Sequence, residues 1–378
     1  MKAQGVQQVY LESLKLINFR NYNQLTLKFH PKINVFVGDN AQGKTNILEA
    51  IYLTSTAKSF RTTKDRELIK FDKDQAYIKV EAKKRYTDTM VELKLEEGKK
   101  KQIKLNRITL SKNSEILNNV YVVVFSPEDL KLIKEGPSER RKFIDHEISQ
   151  MKPSYFHHLN EYQKVLIQRN HLIKKIVHNK KYMDTLDIWD EKLIELGTKL
   201  MMERSKFVTR MSPLSRLIHR KITENKENIE VKYMSSIELK NTFEETIESF
   251  RKALKGSLDV DLQRGTTTFG PHRDDLGVFV NGIDIRSFGS QGQQRTSALS
   301  LKLAEIELIK GETGEYPILL LDDVMSELDV NRQKFLIKAL RDVQIFITTT
   351  EINHLNELRV NKEYIFHVDH ATVHNEFI

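Results

Sequence analysis

The sequence predicts an α/β protein, with a β-rich lobe and a second α/β lobe interrupted by an inserted helical domain. Three observations predict it. Apolar residues alternate in strand fashion over much of the first 125 residues, they recur at helical spacing from 138 to about 211, and buried-strand runs return in the last third.

The elements follow in chain order. LESLKLINF (11–19), QLTLKF (24–29) and INVFVG (33–38) are short, β-rich and separated by turn residues such as Asn21, Asn23 and Pro31. A helix is expected over 44–57, with Ile47, Leu48, Ile51 and Tyr52 on one face. A second strand-rich zone covers 76–125, with EEGKKK as a hairpin tip. The period changes after Pro127. Tyr155, Leu159, Tyr162, Leu166, Ile173 and Ile176 form one heptad-like seam. Leu186, Trp189, Leu193, Leu196, Leu200 and Phe207 form another, and Arg169 and Glu203 interrupt the two. The HNKK linker (178–181) is short, so the helices return antiparallel. They either pack as ordinary amphipathic helices on a core or project as an arm of roughly 37 Å.

In the last third a helix runs from about Gln293 to Ile309 and stops at Gly311. PILLL (317–321) and VQIFITTT (343–350) read as buried strands, a helix with Asp329 as its N-cap covers about 331–341, and YIFHV (364–368) closes the chain. The expected division is one head made of 1–126 and 258–378, split by a helical insertion over 127–257.

Composition narrows the function classes. The chain has 378 residues and a net charge of +9, from 61 Lys and Arg against 52 Asp and Glu. It has no cysteine, which excludes disulfides, cysteine-ligated zinc, iron–sulfur sites and a cysteine nucleophile. The twelve histidines are scattered, and no His-based metal site is expected. No run approaches the ~20 apolar residues of a membrane span. MKAQGVQQVY at the start reads as a terminal tail rather than a secretory signal. A cytoplasmic location is expected, and the basic balance points to a polyanion, nucleic acid first.

Two motifs carry the chemistry. Residues 38–45 read GDNAQGKT, after an apolar strand and at the head of an amphipathic helix. Gly38 and Gly43 let the backbone turn, so that the N–H groups of Asp39, Asn40, Ala41 and Gln42 converge on phosphate oxygens. Lys44 would reach the β- and γ-phosphates and Thr45 would ligate Mg²⁺. The second motif is ILLLDDVMSELD (318–329), a buried strand running into two carboxylates. A DD pair after an apolar run is most often a helix N-cap. Beside a phosphate loop it assigns Asp322 to the metal and Asp323 to the attacking water. A third stretch, SFGSQGQQRTS (287–297), is a small-residue turn before a helix and is weak on its own.

The order of these motifs resembles the ABC-type ATPase heads, and more closely the RecF family of bacterial DNA repair. The resemblance extends over LKLINFRNY (14–22), FSPEDL (125–130), GPSERRKFID (136–145), FGPHRDDL (269–276), GSQGQQRTSALSLKLAEIELI (289–309) and FITTT (346–350). It implies that ATP lies between two subunits, with Ser290 and Gly292 of one touching the γ-phosphate held by the other and Gln293 nearby. Ser326 and Asp329 match the loop that crosses such an interface. It further implies an ATP-driven homodimer on double-stranded or gapped DNA, a weak DNA-dependent ATPase, and recombinase loading with the RecR mediator during DNA damage and the SOS response.

The chain departs from generic heads at several positions. Asp323 stands where Glu is usual, which suggests slow turnover. The signature is SQGQ rather than SGGQ, Thr349 takes the place of the switch histidine, and Ser126 to Asp129 stand at the glutamine-loop position. Candidate DNA contacts are Lys99, Lys100, Lys101 and Lys104 near the hairpin tip, Arg140 and Arg141, and Lys174, Lys175, Lys180 and Lys181 in the insertion. Arg273 is left open between the nucleotide, the dimer interface and a loop salt bridge. The rival readings are a transporter's nucleotide-binding subunit and a scaffold that uses ATP only as a dimerisation switch.

Overall fold

The computed structural model describes residues 9–84, 87–329, 332, 333, 335, 336, 343–351 and 364–375. Most of the tail at 1–8 and most of the helix expected over 331–341 lie outside the described residues. The chain divides into two compact units, Met1–Asp129 with Glu305–Ile378, and Leu130–Ala304.

The first unit holds two six-stranded sheets. One is antiparallel and contains β1 (Tyr10–Phe19), β2 (Tyr22–Lys28), β4 (Gln75–Lys83), β5 (Thr89–Glu96), β6 (Gln102–Leu105) and β7 (Ile108–Thr109). Its order is β2-β1-β4-β5-β6-β7. Alternate residues of β4 are buried, as Ala76, Ile78, Val80 and Ala82, which fixes the register of a half-buried strand. The expected EEGKKK tip joins the antiparallel pair β5 and β6.

The other sheet contains β3 (Ile33–Val37), β8 (Val122–Phe125), β12 (Ile318–Asp322), β13 (Ile345–Thr349), β14 (Ile365–Asp369) and β15 (Thr372–Asn375). Its order is β15-β14-β3-β13-β12-β8, parallel except for the terminal β14–β15 hairpin. β12 and β13 are buried along their whole length, as parallel strands covered on both faces must be. Helix α1 (Lys44–Thr56) packs on strands of both sheets and is buried nearly all round. Buried Gln344 joins the sheets: its Oε1 accepts from the Leu11 N–H at 2.7 Å, and its Nε2 donates to the carbonyls of Leu11 and His30 at 2.8 and 2.9 Å.

The second unit begins with α2 (Lys131–Lys134), α3 (Pro137–Met151), α4 (Pro153–His178) and α5 (Leu186–Ile222). β9 (Ile229–Met234), α6 (Phe243–Gly256), α7 (Leu258–Arg264), β10 (Asp275–Val280), β11 (Ile283–Asp284) and α8 (Ile285–Phe288) follow, and α9 (Gln291–Thr313) contains the division. The expected insertion ended at 257. The second unit runs to Ala304, and the antiparallel pairing of β10 with β9 ties 275–280 to 229–234 within it.

The two long helices are antiparallel as expected: Lys152 pairs with Glu203, Tyr155 bonds Arg204, and Arg169 pairs with Asp190. Tyr155, Tyr162, Ile173, Ile176, Leu193, Leu200 and Phe207 of the expected seams are buried. Arg169 does not break its seam but lies fully inside it. Its Nε donates to Asp190 at 2.6 Å and its Nη1 to Asp261 at 2.7 Å and Thr267 at 2.8 Å.

Candidate functional site

The phosphate loop joins β3 to α1 and is braced by its neighbours. A Cβ on Gly38 would meet the Val368 carbonyl oxygen at 2.2 Å, so only glycine fits there. Gly43 has φ +118°, and a Cβ there would meet the Asn21 side chain at 2.8 Å and the Tyr22 hydroxyl at 2.9 Å. The Tyr22 hydroxyl donates to the Gly43 carbonyl at 3.2 Å, and Asn21 Nδ2 donates to the Gln42 carbonyl at 3.1 Å. From β14–β15, the His370 N–H donates to Gln42 Oε1 at 2.6 Å and the Ala371 N–H to its carbonyl at 3.1 Å. Asp39, Asn40 and Ala41 are exposed at the loop's tip, and Ala41 has φ +64°.

Lys44 is buried, and its Nζ donates to the carbonyls of Gly38 and Asp39 at 2.5 and 2.8 Å. Burial lowers its pKa, opposed by the negative charges of Asp323, Asp322 and Asp39. The first residue of the acidic pair sits where the sequence placed it. Asp322 Oδ1 accepts from the hydroxyls of Thr45 and Thr348, each at 2.8 Å. Burial raises its pKa, and the two hydroxyls and Arg61 pull it back down. Asp323 has a left-handed backbone (φ +55°), with its N–H donating to Thr348 Oγ1 at 2.9 Å. A buried carboxylate beside a threonine hydroxyl is a hard-oxygen donor pair suited to Mg²⁺, and an inward ammonium amid loop carbonyls suits phosphate oxygens. The residues therefore fit ATP and Mg²⁺.

Sequence reasoning missed several members of this site. Asn21 and Tyr22 act on the loop from the β1–β2 turn. On β13 the side chain that bonds Asp322 is Thr348, whereas Thr349 donates to the Glu351 carbonyl at 3.0 Å. On α1, Glu49 is buried and accepts two bonds from Arg20, at 2.8 and 2.6 Å, and one from Ser59. No local pattern marks these residues, because each meets its partner from a separate segment of the chain.

The signature stretch lies in the second unit. The Ser290 hydroxyl accepts from the Gln293 N–H at 3.2 Å, and Gln293 Oε1 accepts from the Ser290 N–H at 3.0 Å. This reciprocal pair is a capping box at the start of α9, and it leaves Ser290 and Gly292 exposed. Ser326 donates to the Asp323 carbonyl at 2.8 Å, and Asp329 caps Arg332 N–H at 3.0 Å. At the glutamine-loop position the Ser126 N–H donates to Asp129 at 2.8 Å.

The basic candidates separate. Lys99, Lys100, Lys104, Lys174, Lys175, Lys180 and Lys181 are exposed. Arg140 is a correction: it is buried, its Nε and Nη2 grip Asp275 at 2.7 and 2.8 Å, and its Nη1 donates to the Glu135 carbonyl at 2.8 Å. Its neighbour Arg141 donates to the Asp274 carbonyl at 2.8 Å. Lys101 is also a correction, since its largely buried ammonium bonds Asp65 at 2.7 Å and the Ala57 carbonyl at 2.8 Å. Arg273 donates to the Thr267 carbonyl at 3.1 and 2.9 Å, a contact within its own loop. Among the described residues no helix is long and apolar enough to cross a membrane.

A family model described as the RecF/RecN/SMC N-terminal domain matches residues 10–373. The chain is 52% identical over 365 residues to the DNA replication and repair protein RecF of Alkaliphilus oremlandii, covering 96% of this chain and 99% of that protein. The chain belongs to the RecF family. RecF membership makes it a DNA replication and repair protein and accounts for the ABC-type head anticipated from its motifs. A solved structure of the recombination mediator protein RecF with ATP, from the RecFOR pathway, superposes with a TM-score of 0.91 at 39% identity over 99% of this chain and all of that one. The Smc head domain of Pyrococcus furiosus shares the fold, with a TM-score of 0.55 at 16% identity over 97% of this chain and 95% of that one.

Proposed function

We propose that this RecF-family chain is a slow, Mg²⁺-dependent and DNA-stimulated ATPase of the cytoplasm that dimerises with ATP on double-stranded or gapped DNA. The observation that carries the reading is the set Thr45–Asp322–Thr348 beside an inward-facing Lys44. ATP supplies the γ-phosphate on which closure depends, and Mg²⁺ would supply charge that neutralises the phosphates.

The chain's own residues do the rest. Gly38 to Gly43 hold the triphosphate by backbone N–H groups, and Lys44 exchanges its loop carbonyls for phosphate oxygens. Thr45 and Asp322 would hold the metal. Asp323 orients the attacking water and takes its proton; its side chain, one methylene shorter than glutamate, accounts for slow turnover. Ser290, Gly292 and Gln293 of a second copy close over the γ-phosphate, so hydrolysis releases the dimer. The exposed lysines of the hairpin tip and of α4 and its following turn contact DNA phosphates without reading bases. The RecFOR relative supports a role beside a RecR mediator in loading recombinase at gaps.

Sedimentation with ATP, Mg²⁺ and double-stranded DNA tests the reading. The wild-type chain is expected to double in mass with ATP, while Lys44→Ala stays monomeric but folded. ATP-dependent dimerisation of folded Lys44→Ala at wild-type affinity would reject the site.

A further inference from the structure

The signature turn is not held by its capping box alone. Gln293 spends its Oε1 on the Ser290 N–H, which leaves its Nε2 to be satisfied elsewhere. That Nε2 donates to Glu227 Oε1 at 2.8 Å. The other carboxylate oxygen of Glu227 lies 3.2 Å from Nε2 of His219, which is fully buried in the last turn of α5. His219 Nδ1 is in turn 3.0 Å from the Ser300 hydroxyl, two turns into α9. A chain of contacts thus runs from the signature to a buried imidazole and back to the same helix.

The chemistry of each group gives this chain a direction. A carboxylate only accepts, so Glu227 requires N–H groups from both neighbours. The Gln293 amide can therefore face it only with its nitrogen, which points the oxygen at the Ser290 N–H. A flipped amide would set oxygen against carboxylate and lose the cap. The loop bearing Glu227 is itself braced. Glu224 and Asn225 have positive φ (+52° and +63°), and the Glu227 N–H donates to Thr223 Oγ1 at 3.3 Å. The next residue, Asn228, donates its N–H to Asn281 Oδ1 at 2.9 Å and accepts from the Asn281 N–H at 2.9 Å.

We infer that Glu227, anchored by His219, is a positioning residue that fixes the amide of Gln293 and so holds the Ser290 hydroxyl and the signature turn in the one conformation presented to nucleotide. The presentation to nucleotide rests on the proposed role of this turn across the dimer. The fixing of the turn does not, and the two are separable by experiment.

Amide hydrogen exchange on the full nucleotide-free chain reads the fixing directly. Glu227→Ala is expected to speed exchange at residues 290–294 by about tenfold, the loss of one charge-assisted hydrogen bond, with the rest of 130–304 unchanged. Glu227→Gln keeps an acceptor for the Gln293 Nε2 and is expected to restore the slow rate. Unchanged exchange in Glu227→Ala, or faster exchange spread through the whole unit, would overturn the inference. ATP-dependent sedimentation of Ser290→Arg decides the other part. If it dimerises like wild type, the signature does not act across the dimer, and the exchange data still decide whether Glu227 fixes the turn.

Discussion

At Asp322 the cost of burying a charge is set against the need for one. The carboxylate is buried, accepts two hydroxyls and has its pKa raised by burial. A carboxyl whose pKa rises on folding keeps its proton more readily in the folded state. The unfolded chain therefore releases that proton first, and stability is lost as pH rises from the unfolded value of ~3.9 through the folded one. Asp322→Asn should then melt a few degrees higher than wild type at pH 7 without nucleotide, with the gap closing near ~pH 4. It should also lose ATP hydrolysis by ~10²-fold or more. Calorimetry and a phosphate-release assay check both, and a lower melting temperature at pH 7 would contradict the burial argument. At this scale the sequence was readable where residues are contiguous: GDNAQGKT and the DD strand end lie where the motifs place them. Thr348 was not readable, because Asp322 and Thr348 come together only through the pairing of β12 with β13.

Among the elements, α4 and α5 show what periodicity captures and what it omits. Most of the seam residues predicted from spacing are buried, Leu159, Leu166 and Trp189 being half-buried, and Arg169 in their midst is buried with them, because Asp190, Asp261 and Thr267 supply partners from three other segments. The helical pattern ended at about 211 in the sequence, yet α5 continues through Pro213 to Ile222. Buried Ser215, Ile218 and His219 hold the last turns, so packing outweighs the proline penalty. The strand β9 was missed although Ile229, Val231 and Tyr233 alternate with Glu230 and Lys232, because so short a run stands alone in the sequence until β10 supplies its partner.

His272, in the loop before β10, gives this scale its prediction. Its Nε2 must donate to the Thr267 carbonyl at 3.0 Å, so Nδ1 accepts from the Tyr162 hydroxyl at 2.7 Å. Burial pushes its pKa down to about 4, with Arg273 and Arg141 adding to the effect against the Thr267 bond and Asp261. A lowered histidine pKa contributes stability above the unfolded value of ~6.5 that is lost as pH falls toward the folded one. Unfolding free energy should fall by up to roughly 3 kcal/mol between pH 6.5 and 4 on this account. His272→Gln, measured by urea melts across that window, should flatten that part of the slope. A slope equal to wild type would contradict the assignment.

The whole molecule poses the question that neither unit answers alone. The phosphate loop belongs to the first unit and the signature turn to the second, and the positive charge is divided between a hairpin tip on one and α4 with its following turn on the other. Composition indicated a polyanion partner but could not tell Arg140, which is spent on Asp275, from Lys174 or Lys180, which are exposed. That distinction needs tertiary contacts. The family resemblance implies how the parts are used, with each loop facing the other copy's signature. The proposed function requires a site built from two chains, and mixing tests it most directly. Lys44→Ala and Ser290→Arg should each be inactive alone as ATPases on DNA. Mixed in equal amounts, they should regain up to roughly half of wild-type turnover, since neither variant pairs with itself and each mixed dimer holds one intact site of two. A mixture no more active than either variant alone would contradict a shared site.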